Sequence, residues 1–336
     1  MTVLVIRFSA LGDVAMTIPA VYSIARAYPQ HTFVVATSAF TARLFINAPS
    51  NVEVIGLSKG ESRGVGGTWR MLRRLSRLHV DAVADLHNVL RSWIVDASFR
   101  LRLKPVAMLD KHRSERRAIL HDHASSATPF VSRYFDVFAR LGMPAAPQFT
   151  SLFQNGLPAL PADLPAKANE QWVGVAPFAR YRSKTYDEGQ MREVVAQLAV
   201  RPRSRVFLFG ARGREEKLLH EWADKAENVF VVAGRLQLEE ELALMAHVDV
   251  MLTMDSANMH MASLVGTRVV SLWGGTTPAC GFLGYRQAPS DALTAGLSCQ
   301  PCTIAGSDRC PLGHMHCTRA IPVQQIIQKI ITSHVH

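Results

Sequence analysis

The residues of this chain best suited to chemistry lie in loops that follow short apolar runs. After Thr2 to Ile6 comes Arg7-Phe8-Ser9-Ala10-Leu11-Gly12-Asp13, which leads straight into a helical pattern. An ionised carboxylate at such a turn can take a proton from a hydroxyl. It can equally stabilise the first helical turn, whose free amides and positive dipole end favour an acidic side chain. After Trp172 to Ala176, the segment Pro177 to Lys184 gathers Arg180, Arg182 and Lys184, cations of the kind that bind a diphosphate. Surface exposure alone would account for any one of them. After Val248 to Thr253 come Asp255, Ser256, Ala257 and His260. Ser256 is placed to cap a helix whose first amides would hold a phosphate without a metal ion. The run Arg268 to Trp273 ends in Gly274-Gly275-Thr276-Thr277-Pro278, a turn that permits close backbone approach. After Asp81 to Asp85 stand His87, Asn88 and Arg91. Asn88 reads as a helix cap, and His87 and Arg91 would share a face if both are helical. Each loop alone can be a capped helix or a tight turn, and together they could form an anion pocket.

The elements that must hold these loops follow from periodicity. Val3 to Phe8, Phe33 to Thr37, Val52 to Leu57 and Asp81 to Asp85 read as strands, with helices at Val14 to Tyr28, Val89 to Phe99 and Pro129 to Leu141. Prolines at 144, 147, 158, 161 and 165 then interrupt any regular element. Beyond them the alternation restarts: strands at Trp172 to Ala176, Arg205 to Phe209, Val229 to Val232, Val248 to Thr253 and Arg268 to Trp273, and helices at Glu188 to Leu198, Arg214 to Lys225, Glu239 to Ala246 and Met259 to Leu264. The expectation is α/β, with two doubly wound parallel sheets, because such buried strands need helices on both faces. Residues 1–155 form the first domain, 156–170 a linker and 171–320 the second. Residues 321–336, with an amphipathic stretch at Val323 to Ile331, pack on either domain. Ligands of such sheets bind beyond the carboxyl ends of the strands, which is where the loops above lie.

Composition limits the partners. At 336 residues with 48% hydrophobic and 19% charged residues, the chain has material for two packed cores and is not of a disordered type. The opening apolar stretch is too short for an export signal, and no apolar run is long enough to span a bilayer, so a cytoplasmic location is expected. The G-x-G-x-x-G spacing of dinucleotide sites is absent from the first turn. Of the net charge of +10, the segment Lys59 to Arg117 carries 14 Lys and Arg against 6 Asp and Glu. Arg70, Arg73, Arg74 and Arg77 recur there at helical spacing. They form either a solvated face or a surface for nucleic acid, anionic lipid or a phosphorylated glycan. Cys299, Cys302, Cys310 and Cys317, with His314 and His316 between the last two, have the spacing of a structural zinc knuckle. The alternative is a cluster of reduced thiols, and a zinc-containing nucleic-acid-binding protein would use stripe and cysteines together.

The ordered set of segments resembles glycosyltransferase family nine, whose best-known members are ADP-heptose lipopolysaccharide heptosyltransferases. The resemblance rests on Arg7 to Asp13 followed by Pro19, the Asp85 to Arg91 loop, Lys184, Asp255 to His260 with Ala262, Gly274 to Pro278, and Cys-Pro-Leu-Gly-His from Cys310. It implies a GT-B fold of two Rossmann-like domains facing a cleft, with acceptor on the N-terminal and donor on the C-terminal domain. It implies Asp13 as catalytic base and Lys184 as the diphosphate-binding lysine. Ser9, Gly12, Arg180, Arg182, Asp255, Ser256, Ala257, His260, Gly274 and Thr276 would bind the donor, and His87, Asn88 and Arg91 the acceptor. The implied reaction is inverting and needs no cofactor. The implied partners are ADP-heptose or a related nucleotide sugar, an acidic inner-core glycolipid and the inner face of the cytoplasmic membrane, with no nucleic acid. The chain departs from the family pattern at Ala257 and Asn258 (usually Gly and Pro), Gly275 (Pro or Ala) and Tyr186 (Trp). These lie on the donor side, so transfer of a hexose or N-acetylhexosamine on the same scaffold stands as the alternative, and a nucleotide-binding module without catalysis as a further one.

Overall fold

The computed structural model describes residues 1–61, 63–122, 125–224 and 226–332. It divides into two compact units, Met1–Lys111 with Thr128–Leu152, and His112–Ala127 with Phe153–His336.

The first unit begins with β1 (Thr2–Ile6), α1 (Leu11–Ala27), β2 (Thr32–Ser38) and β3 (Val52–Leu57), and continues with α2 (Gly64–Leu75), β4 (Ala82–Asp85), α3 (Leu90–Arg100) and β5 (Val106–Met108). Its sheet is parallel, in the order β3-β2-β1-β4-β5. Leu4, Ile6, Val34 and Val83 on the strands pack with Met71, Leu75, Val95 and Phe99 of the covering helices. The sheet order reverses between β1 and β4, so the loops after these two strands flank the crevice where doubly wound sheets bind ligands.

Next in the chain come α4 (Arg113–Asp122) and α5 (Phe130–Arg140). The helix α5 packs on α1 in the first unit, whereas α4 belongs to the second. This differs from the expected first domain of 1–155, and the cause lies far along the chain: Ile119, the one buried residue of α4, finds Cys280 and Ile304 as apolar partners, and the Ala127 amide donates to the Ala279 carbonyl.

The second unit contains β6 (Gln171–Ala176), α6 (Glu188–Ala199), β7 (Ser204–Leu208), α7 (Arg214–Ala223), β8 (Val229–Val231), α8 (Leu238–His247), β9 (Val250–Met254), α9 (Ala257–Leu264), β10 (Arg268–Trp273), β11 (Ala292–Thr294) and α10 (Val323–Ile331). All pairings are parallel, in the order β11-β10-β9-β6-β7-β8, so the reversal falls between β6 and β9. The amphipathic end of the chain takes one side: Ile326 and Ile330 of α10 join the core of Val173, Leu252 and Leu272, and Arg268 donates to the carbonyls of Lys329 and Ile330.

The expected strands and helices are present, with ends moved by a few residues; the expected end of α7 at Lys225 lies outside the described residues. Among the strands and α-helices of the described residues, four were not anticipated in the sequence. β5 and β11 have three residues each, and α4 buries one side chain. The fourth, α2, opens on glycines and shows its helicity only in the arginine spacing. It ends at Leu75, leaving Arg77 outside, while Arg70 donates to the Gly60 carbonyl and Arg74 to the Gly56 carbonyl. Half of the expected basic stripe is thus tied to the end of β3 and the loop after it.

Candidate active site

In the first unit Ile6 pairs with Asp85, so the chain leaving β1 runs beside the chain leaving β4. Arg7 joins them. Its buried guanidinium donates to the carbonyls of Ser9 (3.0 Å) and Leu86 (2.8 Å) and lies 2.7 Å from Oδ2 of Asp13. Asp13 is the third residue of α1, and the same oxygen accepts the Ala10 amide at 3.3 Å, one half of a capping box. Its side chain keeps 32% exposure. Asp13 therefore serves the helix start and still offers an oriented carboxylate to a substrate. The phenol of Tyr134 on α5 is fully buried with no hydrogen-bond partner among the described residues. Burial pushes its pKa up to about 12, so it stays protonated in the electrostatic neighbourhood of Arg7 and Asp13.

His87 accepts the Phe8 amide on Nδ1 at 3.4 Å. Burial first, then the Arg7 charge, depress its pKa to about 3. The imidazole is neutral across the physiological range and carries its proton on Nε2, as a hydrogen-bond donor rather than a base. The loop is pinned by Asp85, whose Oδ1 accepts the amides of His87 and Asn88 and whose Oδ2 accepts the Ser92 hydroxyl. Two expectations are corrected here. Asn88 does not cap α3: Val89 is the cap, served by Ser92, while Asn88 has φ 50° and bridges the Leu109 carbonyl and the Trp93 indole. His87 precedes α3, so it shares no helical face with Arg91. Both nevertheless line one concave space of about 770 Å³ together with Ser9.

Behind this loop Asp96 of α3 is 1% exposed and neither carboxylate oxygen has a hydrogen-bond donor among the described residues. Burial, then the Asp85 charge, raise its pKa to about 8, so at neutral pH it holds a proton that it can donate to Asp85. A folded-state pKa above the unfolded value means stability that is complete below the unfolded carboxylate range and is lost as pH rises through the folded value. Thermal midpoints should therefore fall between about pH 5 and pH 9. Asp96→Asn, which keeps a donor without a titrating proton, should flatten that decline; an unchanged slope would show that the pair does not share a proton.

In the second unit β9 lies between β6 and β10, which places three strand ends together. Lys184, from the loop after β6, is 2.8 Å from Oδ2 of Asp255, and the Thr276 hydroxyl donates to the same oxygen at 2.7 Å. Asp255 is only 3% exposed. Ser256 occupies the N-cap position of α9, but, contrary to expectation, its side chain makes no capping bond; its hydroxyl is buried without a partner among the described residues. The first turn of α9 thus offers amides and a hydroxyl to an anion. Ala257 and His260 lie in the first turns of the same helix, His260 buried. Gly274 and Gly275 do allow close approach, to Ser183: its carbonyl accepts the Gly275 amide at 2.6 Å, and a Cβ at Gly274 would lie 2.1 Å from that oxygen.

The cations of the Pro177 to Lys184 loop part company. Arg180 and Arg182 line a space of about 550 Å³ with Arg214, His314 and Arg319, and Lys184 is not among its walls. Arg214 and Arg319 were not singled out in the sequence; nothing local sets them apart from other surface arginines. Tyr186, one of the departures on the donor side, is buried and donates its hydroxyl to the Ile321 carbonyl. The four spaced cysteines are free thiols. Burial raises Cys317 to about 11, followed by the charges of Cys302, Cys299 and Cys310, so the four lie in one neighbourhood. No group of three or more His, Cys, Asp or Glu among the described residues is placed to hold a metal ion.

Two parallel doubly wound units, one with a carboxylate at the β1 crevice and the other with a lysine and an open helix start at the β9 crevice, have the two Rossmann-like sheets of the GT-B fold. The profile described as glycosyltransferase family 9 (heptosyltransferase) matches residues 68–309, and the chain belongs to that family. Lipopolysaccharide heptosyltransferase 1 of Pseudomonas aeruginosa is 26% identical over 327 residues, covering 90% of this chain and 86% of its own. Lipooligosaccharide heptosyltransferase 2 of Campylobacter jejuni is 21% identical over 325 residues, 95% of each chain. Among solved structures, E. coli heptosyltransferase WaaC with ADP superposes with a TM-score of 0.69 at 18% identity, covering 98% of this chain and 100% of its own. The nucleic-acid-binding reading of the basic stripe and cysteines gives way to an enzyme. No helix among the described residues is long and apolar enough to cross a membrane.

Proposed function

We propose that the protein transfers heptose from ADP-heptose to the inner core of lipopolysaccharide, an acidic glycolipid, with inversion at the anomeric carbon and without a metal ion. The first unit takes the acceptor and the second the nucleotide sugar. The observation that carries this reading is the start of α9, where the unpartnered Ser256 hydroxyl and free amides stand beside Lys184, held at 2.8 Å from Asp255. A departing diphosphate gains charge, and preorganised donors of this kind stabilise it more in the transition state than in the ground state. The acceptor hydroxyl loses its proton to Asp13 as its oxygen attacks the anomeric carbon, and the bond to the diphosphate breaks on the opposite face, so one displacement inverts the centre. His87, neutral and donating through Nε2, and Arg91 orient the acceptor.

The names of the relatives support the heptose and lipopolysaccharide parts of this reading. The excess of cations between Lys59 and Arg117 supports peripheral binding to an anionic membrane face, which weakens as salt screens it. The test is incubation with ADP-heptose and deacylated inner-core acceptors, read by mass spectrometry. A gain of one heptose is expected. Transfer from a UDP-hexose or UDP-N-acetylhexosamine with none from ADP-heptose would replace the donor assignment.

A further inference from the structure

The 770 Å³ space of the first unit has walls that a sugar does not require. The helix α2 carries two apolar stripes. Gly67, Met71 and Leu75 turn inward; Val65, Thr68, Trp69 and Leu72, at the i, i+3, i+4, i+7 spacing of a second helical face, line the cavity instead. On the other helix wall, α3 presents Leu90 and Ile94, one turn apart. Val65 is 89% exposed, Leu90 71% and Trp69 66%. Large apolar side chains gathered around a concave space and left in water mark a ligand surface.

Charge and position narrow the occupant. Arg91 lines the same space, within the segment that holds 14 Lys and Arg against 6 Asp and Glu. The cavity also reaches Phe8, Ser9 and His87, on the two loops that Arg7 ties to Asp13. A ligand that fills it must combine a long apolar part with an acidic part, and must bring a hydroxyl to the β1 crevice. A flat bilayer surface does not enter a concavity at a strand end.

We propose that this cavity seats an acyl chain of the acceptor, with Arg91 meeting an acidic group at its rim. The inference rests on the reading that the first unit binds an anionic glycolipid, and it adds that the enzyme reads the lipid as well as the glycan.

Transfer is measured with the intact acylated acceptor and with the same acceptor after deacylation, for the parent, Trp69→Ala and Ile94→Glu. Both variants alter exposed side chains. KM for the acylated acceptor should rise about tenfold or more, the scale of removing contacts to one or two methylenes, while values for the deacylated acceptor stay within about twofold. Equal losses for both acceptors would mean that the wall holds sugar, and no loss for either that it holds nothing; each overturns the proposal. A second readout needs no turnover. A brominated single-chain anionic lysolipid, below its micellar concentration, should quench fluorescence saturably in the parent, less in Trp69→Phe, and about tenfold more weakly in Ile94→Glu. Its headgroup without the chain should not quench. Quenching without transfer to any acceptor would overturn the enzymatic reading and leave the pocket standing; transfer that ignores acylation, without quenching, would do the reverse.

Discussion

Replacing Asp13 with Asn should lower kcat by about 10² to 10⁴, the span that a positioned general base supplies, with little change in KM for the nucleotide sugar. Asparagine can still accept the Ala10 amide at the start of α1, so the helix keeps its cap while the proton acceptor is gone. Arg7 loses its 2.7 Å carboxylate but retains the Ser9 and Leu86 carbonyls. The stability cost should therefore fall below the range of about 3–5 kcal/mol seen when a buried ion is left uncompensated. Steady-state kinetics with thermal denaturation on the same preparation separates the two effects. A folded Asp13→Asn protein with full transfer activity would remove Asp13 from the mechanism.

Lys184→Ala should damage both fold and reaction. Asp255, 3% exposed, would keep the Thr276 hydroxyl as a donor but lose its cation, and breaking a buried ion pair by removing one partner costs about 3–5 kcal/mol. Loss of the cation from the leaving-group site should cost a further factor of about 10² to 10³ in kcat. The double variant Lys184→Met, Asp255→Asn distinguishes these roles. With both charges removed, the thermal midpoint should return most of the way, because an ion pair replaced by neutral groups of similar volume is often tolerated. Transfer should remain low. Recovery of stability and rate together would make the pair structural and leave the diphosphate to other groups.

Much of the fold was legible because its signals are local. Apolar runs of five or six residues alternating with amphipathic stretches define parallel strands and covering helices. The elements missed were the ones with little local signal: two three-residue strands, a helix that opens on glycines, and α4 with its single buried residue. The assignment of α4 to the second unit depends on Cys280 and Ile304, more than 150 residues further along the chain, and no local pattern announces such a partner.

The same division runs through the site. The chain by itself located the loops at the carboxyl ends of the parallel strands, because periodicity finds the strands they follow, and it placed Asp13, Lys184 and Ser256 in them. Tertiary structure decided what these residues do to one another. Arg7 reaches Asp13 and Leu86 because β1 and β4 are neighbours in the sheet; Lys184, Asp255 and Thr276 converge because β6, β9 and β10 are. The buried Tyr134, the proton held by Asp96, the uncapped Ser256 and the second apolar stripe of α2 belong to the same class. Hydrogen bonding and burial are set by which distant segments pack together, whereas a sequence displays directly only the periodicity of each segment alone.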